Sequence, residues 1–181
     1  MLVFEKLTKF REEKVHKFLW SLTEKYPNRT RIISVDGKPY LRRFYITPRR
    51  RNEAGVETGD HRGYGIYLHY FYMGDEDREL HNHPWKTAVS YILCGGYLEE
   101  RKDNLTNEVD TREVSAGQLN LIRNTDFHRV ILKPGVKHTW SIFFSGERVQ
   151  NWGFWDRDTG EYTPHEKFVV DEDQGYKTNA E

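Results

Sequence analysis

Cysteine is nearly absent from this sequence, and long apolar segments are missing. Cys94 is the single cysteine among 181 residues, so no disulfide can form within the chain, which is typical of a reducing compartment. No run of residues is apolar enough to cross a bilayer, which takes about 20 residues. The first residues, MLVFEKLTKFREEK, reach a glutamate at position 5 and lack the apolar segment of a signal peptide. We therefore expect a cytoplasmic protein without a membrane partner.

An excess of charge of either sign is also missing. The 28 lysine and arginine residues balance 28 aspartate and glutamate residues, so no overall field attracts nucleic acid. A polar segment without periodicity, residues 47–63, carries Arg49-Arg50-Arg51 and is predicted to be a surface loop. These arginines either face solvent or grip an anionic partner. Because the net charge is zero, nucleic acid is not expected as the main partner. The expected partner is a small-molecule substrate.

Aromatic residues, by contrast, are abundant at 14% of the chain, and they favour strands. Turn signals such as Gly95-Gly96 and Lys133-Pro134-Gly135 divide the second half of the sequence into short segments. The predicted strands are residues 64–73, 87–94, 96–101, 108–114, 117–123, 127–132, 138–144 and 148–155. Many short strands at regular spacing predict an all-β sandwich or barrel.

The two ends of the chain read differently from its centre. Apolar residues between positions 4 and 26 recur every three or four residues among charges, which predicts an amphipathic helix that stops at Pro27-Asn28. Residues 31–35 and 40–46 are predicted to form a hairpin around Asp36-Gly37. One domain is expected at this length. It divides into a helix over 1–27, a barrel over 28–155 and a polar, frayed tail over 156–181.

Two histidines two residues apart are the strongest chemical signal. His81 and His83 point to the same face if their segment is extended. His128 is the best candidate for a third ligand from a neighbouring strand, and three neutral imidazoles would leave coordination positions open. The alternative is that such a pair consists of ordinary surface histidines.

These residues resemble the cupin superfamily, whose motifs are G(X)5HXH(X)3,4E(X)6G and G(X)5PXG(X)2H(X)3N. His81, His83 and Gly95 match the first motif, and Gly117 and His128 match the second. Other motif positions differ: Thr87 or Ala88 replaces the glutamate, and Arg123, Thr125 and Leu132 replace the proline, glycine and asparagine. The resemblance implies an all-β cupin double-stranded β-helix, a jelly-roll barrel, with an N-terminal α-helix before it.

The missing glutamate makes the site similar to three-histidine cupins such as the thiol dioxygenases, which use Fe(II) and O2. Cys94 lies too far along the chain for the cysteine–tyrosine cross-link of the cysteine-oxidising members. The chain is also similar to small bacterial and bacteriophage cupin-like proteins with H-x-HPW, G-x-Y and R-V-x-x-W-G-F segments. Here these are residues 81–85, 95–97 and 148–154.

Carboxylates and arginines near these segments are candidate partners of the metal ligands and of substrate. Glu79 and Asp126 either hold the second N–H of a metal-bound histidine or are solvated surface charges. Arg123 and Arg148 are suited to bind a substrate carboxylate or phosphate, or they lie on surface strands.

Three further substrate-binding candidates depend on which side of a strand faces the barrel. Tyr67 and His69 would touch substrate if their side of strand 64–73 points inward, whereas the alternative places Ile66, Leu68 and Tyr70 in the core. His138 either lines the barrel mouth or lies outside it.

The leading functional prediction is a mononuclear non-haem Fe(II) dioxygenase acting on a small or polar substrate, with one divalent metal ion as cofactor. Zinc or manganese at the same site would instead serve a hydrolase or isomerase. A third reading is a non-catalytic cupin that binds a ligand or a partner. A homodimer formed through sheet edges is a further expectation, with the N-terminal helix covering one edge.

Overall fold

A computed structural model of the chain describes residues 2–35, 37–48, 63–75, 79–171 and 175–178. Its first element is helix α1 (Leu2–Lys25), followed by a 3-10 turn over Pro27–Arg29. The predicted N-terminal helix is thus confirmed. It ends before Pro27 because proline disfavours helical backbone in the preceding residue, and Tyr26 has φ −125° and ψ 68°. The helices among these residues include none with the length and apolarity needed to cross a membrane.

Short strands make up most of the remaining chain. Those in the described residues are β1 (Thr30–Val35), β2 (Lys38–Tyr45), β3 (Gly65–Phe71), β4 (Leu80–His81), β5 (Thr87–Cys94), β6 (Gly96–Lys102), β7 (Val109–Ser115), β8 (Leu119–Arg123), β9 (His128–Leu132), β10 (Thr139–Ser145), β11 (Gly153–Trp155), β12 (Tyr162–Pro164), β13 (Phe168–Asp171) and β14 (Gly175–Thr178). A second 3-10 turn covers His165–Lys167. The predicted strands up to residue 144 agree closely with this list, while the predicted strand 148–155 shrinks to β11.

Two six-stranded antiparallel sheets form the barrel. Their orders are β1-β2-β3-β10-β5-β8 and β12-β11-β4-β9-β6-β7. The eight strands from β3 to β10 pair as β3 with β10, β4 with β9, β5 with β8, and β6 with β7. This is a long hairpin ribbon that ends in the β6–β7 hairpin and whose other consecutive strands alternate between the two sheets, which is the pattern of a jelly roll. The predicted double-stranded β-helix with an N-terminal helix is therefore the observed fold.

The predicted hairpin near the N-terminus extends the first sheet. β1 pairs with β2 in antiparallel register, with Thr30 opposite Phe44 and Val35 opposite Lys38. Gly37 in its turn has φ +70°, a left-handed conformation that glycine adopts without steric cost. Asp36 lies outside the described residues. So do residues 49–62, which contain most of the predicted loop and all of Arg49-Arg50-Arg51.

Helix α1 packs on the outer face of the first sheet rather than along a sheet edge. Leu19 of the helix joins a buried cluster with strand residues Phe44, Leu68, Tyr70, Cys94 and Trp140. The Nε1 atom of Trp140 donates a hydrogen bond to Nδ1 of His16, 3.2 Å away. Because the helix covers this face, β3 is shielded on both sides, and its residues from Tyr67 to Phe71 are all buried.

The predicted frayed tail does not begin at residue 156. The chain turns after β11 and returns as β12, which adds to the second sheet with Gly153 opposite Pro164. The carboxylate of Asp156 supports this turn by accepting hydrogen bonds from the backbone N–H groups of Asp158 and Thr159, each 2.8 Å long. Further on, β13 and β14 pair as an antiparallel ribbon. Strand addition relies on backbone hydrogen bonds, which a polar composition does not prevent.

Candidate metal centre

The structure brings together the three histidines that the sequence singled out. His81 on β4 lies directly opposite His128 on β9, and residues in that relation have their side chains about 5 Å apart on one face of the sheet. His83 follows two residues after His81 and turns to the same side. One ring nitrogen from each histidine lies within 4.8 Å of the others. The two Nε2 atoms of His83 and His128 are 2.8 Å apart.

This donor set fits a divalent transition-metal ion. Two nitrogens that each lie about 2.1 Å from one ion are about 3 Å apart when they are at right angles, close to the separation of the His83 and His128 nitrogens. A metal ligand must be a neutral imidazole. Burial and the neighbouring His128 lower the pKa of His83 well below its usual value, so that His83 is neutral at physiological pH.

Glu99 on β6 orients one of the three ligands. The carboxylate of Glu99 is fully buried, and its Oε1 atom lies 2.7 Å from Nδ1 of His128. The same carboxylate accepts hydrogen bonds from Asn120 (2.7 Å), Arg101 (3.0 Å) and Arg112 (2.6 Å). Burial alone would raise the pKa of Glu99, but the hydrogen bond and charge of His128 and the charge of Arg101 lower it well below its ordinary range. An ionised Glu99 holds the proton of His128 on Nδ1 and leaves Nε2 free for a metal.

The carboxylates that the sequence suggested for this role lie elsewhere. Asp126 accepts hydrogen bonds from Arg101 (3.1 Å) and from the backbone N–H of Arg123 (2.9 Å). The Oε2 atom of Glu79 is buried and has no hydrogen-bond partner among the described residues. Sequence reasoning missed Glu99, although strand alternation places it on the same side as Tyr97. The position of a glutamate two residues after an aromatic residue, on the same side of a predicted strand, was the sequence signal that could have identified it.

A cavity of about 350 Å³ lies beside the three histidines inside the barrel. Its walls come from both sheets and are largely aromatic and aliphatic. Besides the histidines, the lining consists of Ile33, Tyr40, Leu41, Arg43, His69, Phe71, Asp75, Pro84, Trp85, Ser90, Tyr97, Ile122, Val130, Phe143, Arg148, Trp152 and Phe154. A largely apolar pocket with a few polar groups is typical of a small-molecule site.

His69 is one of the polar groups in the cavity wall, so the side of β3 that carries it faces inward. Its Nε2 atom accepts a hydrogen bond from Nε of Arg43 at 3.0 Å. Burial, followed by the charges of Arg43 and His83, lowers the pKa of His69 well below its usual value. Tyr67 shares this side but does not line the cavity. Its ring stacks near that of His69, with centroids 6.0 Å apart, and packs in the core behind it.

The other predicted substrate residues divide into one at the cavity and two away from it. Arg148 lines the cavity, and its Nη2 atom donates to Oδ1 of Asn151 at 3.1 Å. Arg123 is exposed on β8 and is not part of the lining, because its neighbour Ile122 points inward. His138 lies outside the cavity on the helix side of the first sheet, where its ring stacks on that of His16 with centroids 3.6 Å apart.

Comparison with known proteins finds partial likeness to solved structures. No protein-family model and no curated protein matches the sequence. Hydroxypropylphosphonic acid epoxidase from S. wedmorenis is 12% identical over 66% of this chain and 56% of its own, with a TM-score of 0.46. An oxalate oxidase is 17% identical over 67% of this chain and 58% of its own, with a TM-score of 0.45. The chain thus spans little more than half the length of these two proteins.

A third solved structure matches over nearly its whole length. It is an uncharacterized conserved protein with a double-stranded β-helix domain from Klebsiella pneumoniae. It is 13% identical over 70% of this chain and 97% of its own, with a TM-score of 0.45. Such distant likenesses say nothing about the reaction, which has to be inferred from the side chains of the site.

Proposed function

We propose that this chain is a metal-dependent cupin enzyme, a mononuclear non-haem Fe(II) dioxygenase that acts on a small or polar substrate. The observation that carries the proposal is the convergence of His81, His83 and His128 at the wall of a largely apolar cavity. No carboxylate belongs to this cluster among the described residues. Three neutral nitrogen ligands suit Fe(II) and leave several coordination positions for substrate and O2.

The protein side chains have three tasks in this proposal. The three imidazoles hold the ion, and Glu99 fixes the tautomer and orientation of His128 through the 2.7 Å contact to Nδ1. The aromatic walls give the space next to the histidines a largely apolar lining. When bound, Fe(II) would supply the one-electron chemistry that allows O2 to react with an organic molecule.

Metal analysis under anaerobic conditions tests the proposal. Protein purified without oxygen is expected to contain about one iron per chain, or to take up one Fe(II) after chelation. Nitric oxide, a probe of open coordination positions on Fe(II), should then give the electron paramagnetic resonance signal of an iron–nitrosyl. Uptake of O2 during turnover of a small organic acid, lost on chelation and restored by Fe(II), would complete the case.

Other outcomes of the same experiment point to the alternatives. Stoichiometric zinc or manganese, with turnover that does not need O2, would replace the dioxygenase by a hydrolase or isomerase. Protein that takes up none of these metals would rule out the metal-dependent enzyme and favour a ligand-binding cupin.

A further inference from the structure

Arg43 is a partly buried arginine that lines the cavity and has no carboxylate partner among the described residues. It sits on β2 directly opposite His69 on β3, and it lines the cavity. Its Nε atom is engaged by His69, and its guanidinium carbon lies 5.3 Å from the centre of the Tyr67 ring. Within the described part of the chain, no aspartate or glutamate forms an ion pair with it.

Other arginines contact carboxylates, or a hydroxyl group and an aromatic ring. Arg101, Arg112, Arg129 and Arg157 each pair with a glutamate or aspartate. Arg42 points to the helix side, where Nη1 donates to Thr23 at 2.7 Å and the guanidinium covers Trp20 at 3.9 Å. Two arginines of the cavity lining, Arg43 and Arg148, have no such partner among the described residues, and Arg43 is the less exposed of the two.

The positive charge of Arg43 in the cavity lining favours an anionic ligand. A guanidinium carries a positive charge, and a partly buried charge loses some of its hydration. Arg43 is partly buried, so pairing with an anion would stabilise it. Asp75, the acidic residue of the cavity lining, already accepts a hydrogen bond from the backbone N–H of Val130 at 3.0 Å. His69 supplies a neutral acceptor for one N–H of Arg43 and no negative charge. No carboxylate of the described residues lies within ion-pair distance of Arg43, and its two Nη atoms carry further N–H donors.

The cavity also sets the size and shape of the ligand. About 350 Å³ lies near the lower end of ligand pockets, which span about 300 to 1,000 Å³. Aromatic side chains, including Phe71, Phe143 and Trp85, supply much of the wall. Phe143 lies between the two polar ends, because its ring centroid is 5.0 Å from that of His69 and 6.1 Å from that of His83. A ligand held at Arg43 therefore extends past Phe143 toward the three histidines.

We propose that this cavity binds a small carboxylic acid with an apolar or aromatic body, whose carboxylate is held by the guanidinium of Arg43. The inference rests on the proposed function, since it takes the cavity beside the three histidines as the substrate site. A guanidinium binds carboxylate and phosphonate oxygens alike. A carboxylate is favoured because the lining offers one partly buried arginine, Arg43, whereas Arg148 is exposed.

Titration calorimetry with aromatic probes that differ in their charged group tests this inference. The probes are 3-phenylpropanoate, its neutral amide 3-phenylpropanamide, and phenylphosphonate, each added to zinc-loaded and to chelator-treated metal-free protein. In the metal-free protein the carboxylate cannot bind to the ion, so any preference for it reports on the side chains. We expect 3-phenylpropanoate to bind at least tenfold more tightly than the amide, and more tightly than phenylphosphonate.

Variants assign that preference to one residue. Arg43→Gln should remove the preference for the carboxylate over the amide, and Arg43→Lys should keep part of it because the charge remains. Arg123→Gln, an exposed arginine outside the cavity, is the matched control and should keep the full preference. Metal stoichiometry and circular dichroism of each variant confirm that the barrel and the histidine site are intact.

Several outcomes would overturn the inference. These are equal binding of acid and amide to the native protein, binding of neither probe at millimolar concentration, tighter binding of phenylphosphonate, or an undiminished preference in folded Arg43→Gln protein. Selective carboxylate binding by a protein that takes up no metal would support the inference while refuting the proposed enzyme. Stoichiometric metal without carboxylate selectivity would do the reverse.

Discussion

The Nδ1 atom of His128 lies 2.7 Å from Oε1 of Glu99, a fully buried carboxylate on the adjacent strand β6. The cupin motif places a glutamate shortly after the second histidine, where this chain has Thr87 and Ala88. A carboxylate nevertheless belongs to the site, as a hydrogen-bond acceptor that orients a ligand. Arg101 and Arg112 of the second sheet and Asn120 of the first sheet stabilise the buried carboxylate, so a polar network from both sheets supports one imidazole.

Replacement of Glu99 should weaken metal binding. In Glu99→Gln the amide matches the carboxylate in size but cannot neutralise and orient His128 in the same way, so we expect metal affinity to fall about 10- to 100-fold. Competition with a chromophoric chelator measures the dissociation constant. Glu100→Gln is the control, since Glu100 pairs with Arg129 and Arg157 away from the histidines. Unchanged affinity in the Glu99 variant would contradict this role.

Removal of any one of the three histidines should abolish stoichiometric metal binding. His81→Ala, His83→Ala and His128→Ala each leave two nitrogen donors, which do not retain an ion against a chelator. Elemental analysis after reconstitution and desalting measures the metal content. His16→Ala and His165→Ala serve as controls because these rings stack on His138 and Trp152 outside the cluster. Full metal retention in His128→Ala would refute the assignment.

The stability of the metal-free protein should decline as the pH falls below about 6.5. The pKa of His69 in the folded protein is well below the ordinary histidine value of 6.5, so the unfolded chain binds the extra proton first. The stability that the neutral, buried His69 contributes is therefore fully present above pH 6.5, and it is lost progressively as the pH falls from there toward the lower pKa of the folded protein, by up to about 1.4 kcal/mol per pH unit.

Urea denaturation at several pH values between about 5 and 8 measures this dependence. His69→Gln should flatten the curve of unfolding free energy against pH, whereas His165→Gln should leave it nearly as steep as in the native protein. An equally steep curve in the His69 variant would show that other groups are responsible.

The two glycines that match the cupin motifs should differ in their tolerance of alanine. Gly95 has φ +70°, and a Cβ added there would lie 2.1 Å from the carbonyl oxygen of His138. Gly117 has φ +87° with no atom within 4 Å of the added Cβ. Gly117→Ala should cost about 1 kcal/mol of stability from backbone strain alone. Gly95→Ala should cost at least about twice as much. Chemical denaturation measures the free energy of unfolding of both variants. Equal losses of stability would contradict this prediction.

Local chemistry explains why the strand pattern was predictable. The predicted strand 87–94 coincides with β5, and the hairpin over 31–46 appears as β1 and β2. In both cases the boundaries depend on turn residues next to the strands, such as Gly95 and Gly37, and these act through their own backbone conformations. The polar C-terminal region was misjudged because β12 gains its stability from pairing with β11, which composition does not reveal.

The convergence of the histidines was predictable in part. Period-two alternation alone turns His81 and His83 to one side of an extended segment, and the spacing to Gly117 marks His128 as the partner through the cupin resemblance. The cross-strand contact between His81 and His128 then follows from the pairing of β4 with β9.

The sequence by itself determined the β-rich jelly roll, the N-terminal helix and the three histidines that meet. Only the tertiary structure decided which side of β3 is interior, which carboxylate supports His128, and that Arg43 lies in the cavity. Alternation states which residues share a side of a strand, but it does not say which side faces the barrel when both are apolar. Here α1 covers the side with Leu68 and Tyr70, so that His69 and its partner Arg43 point inward.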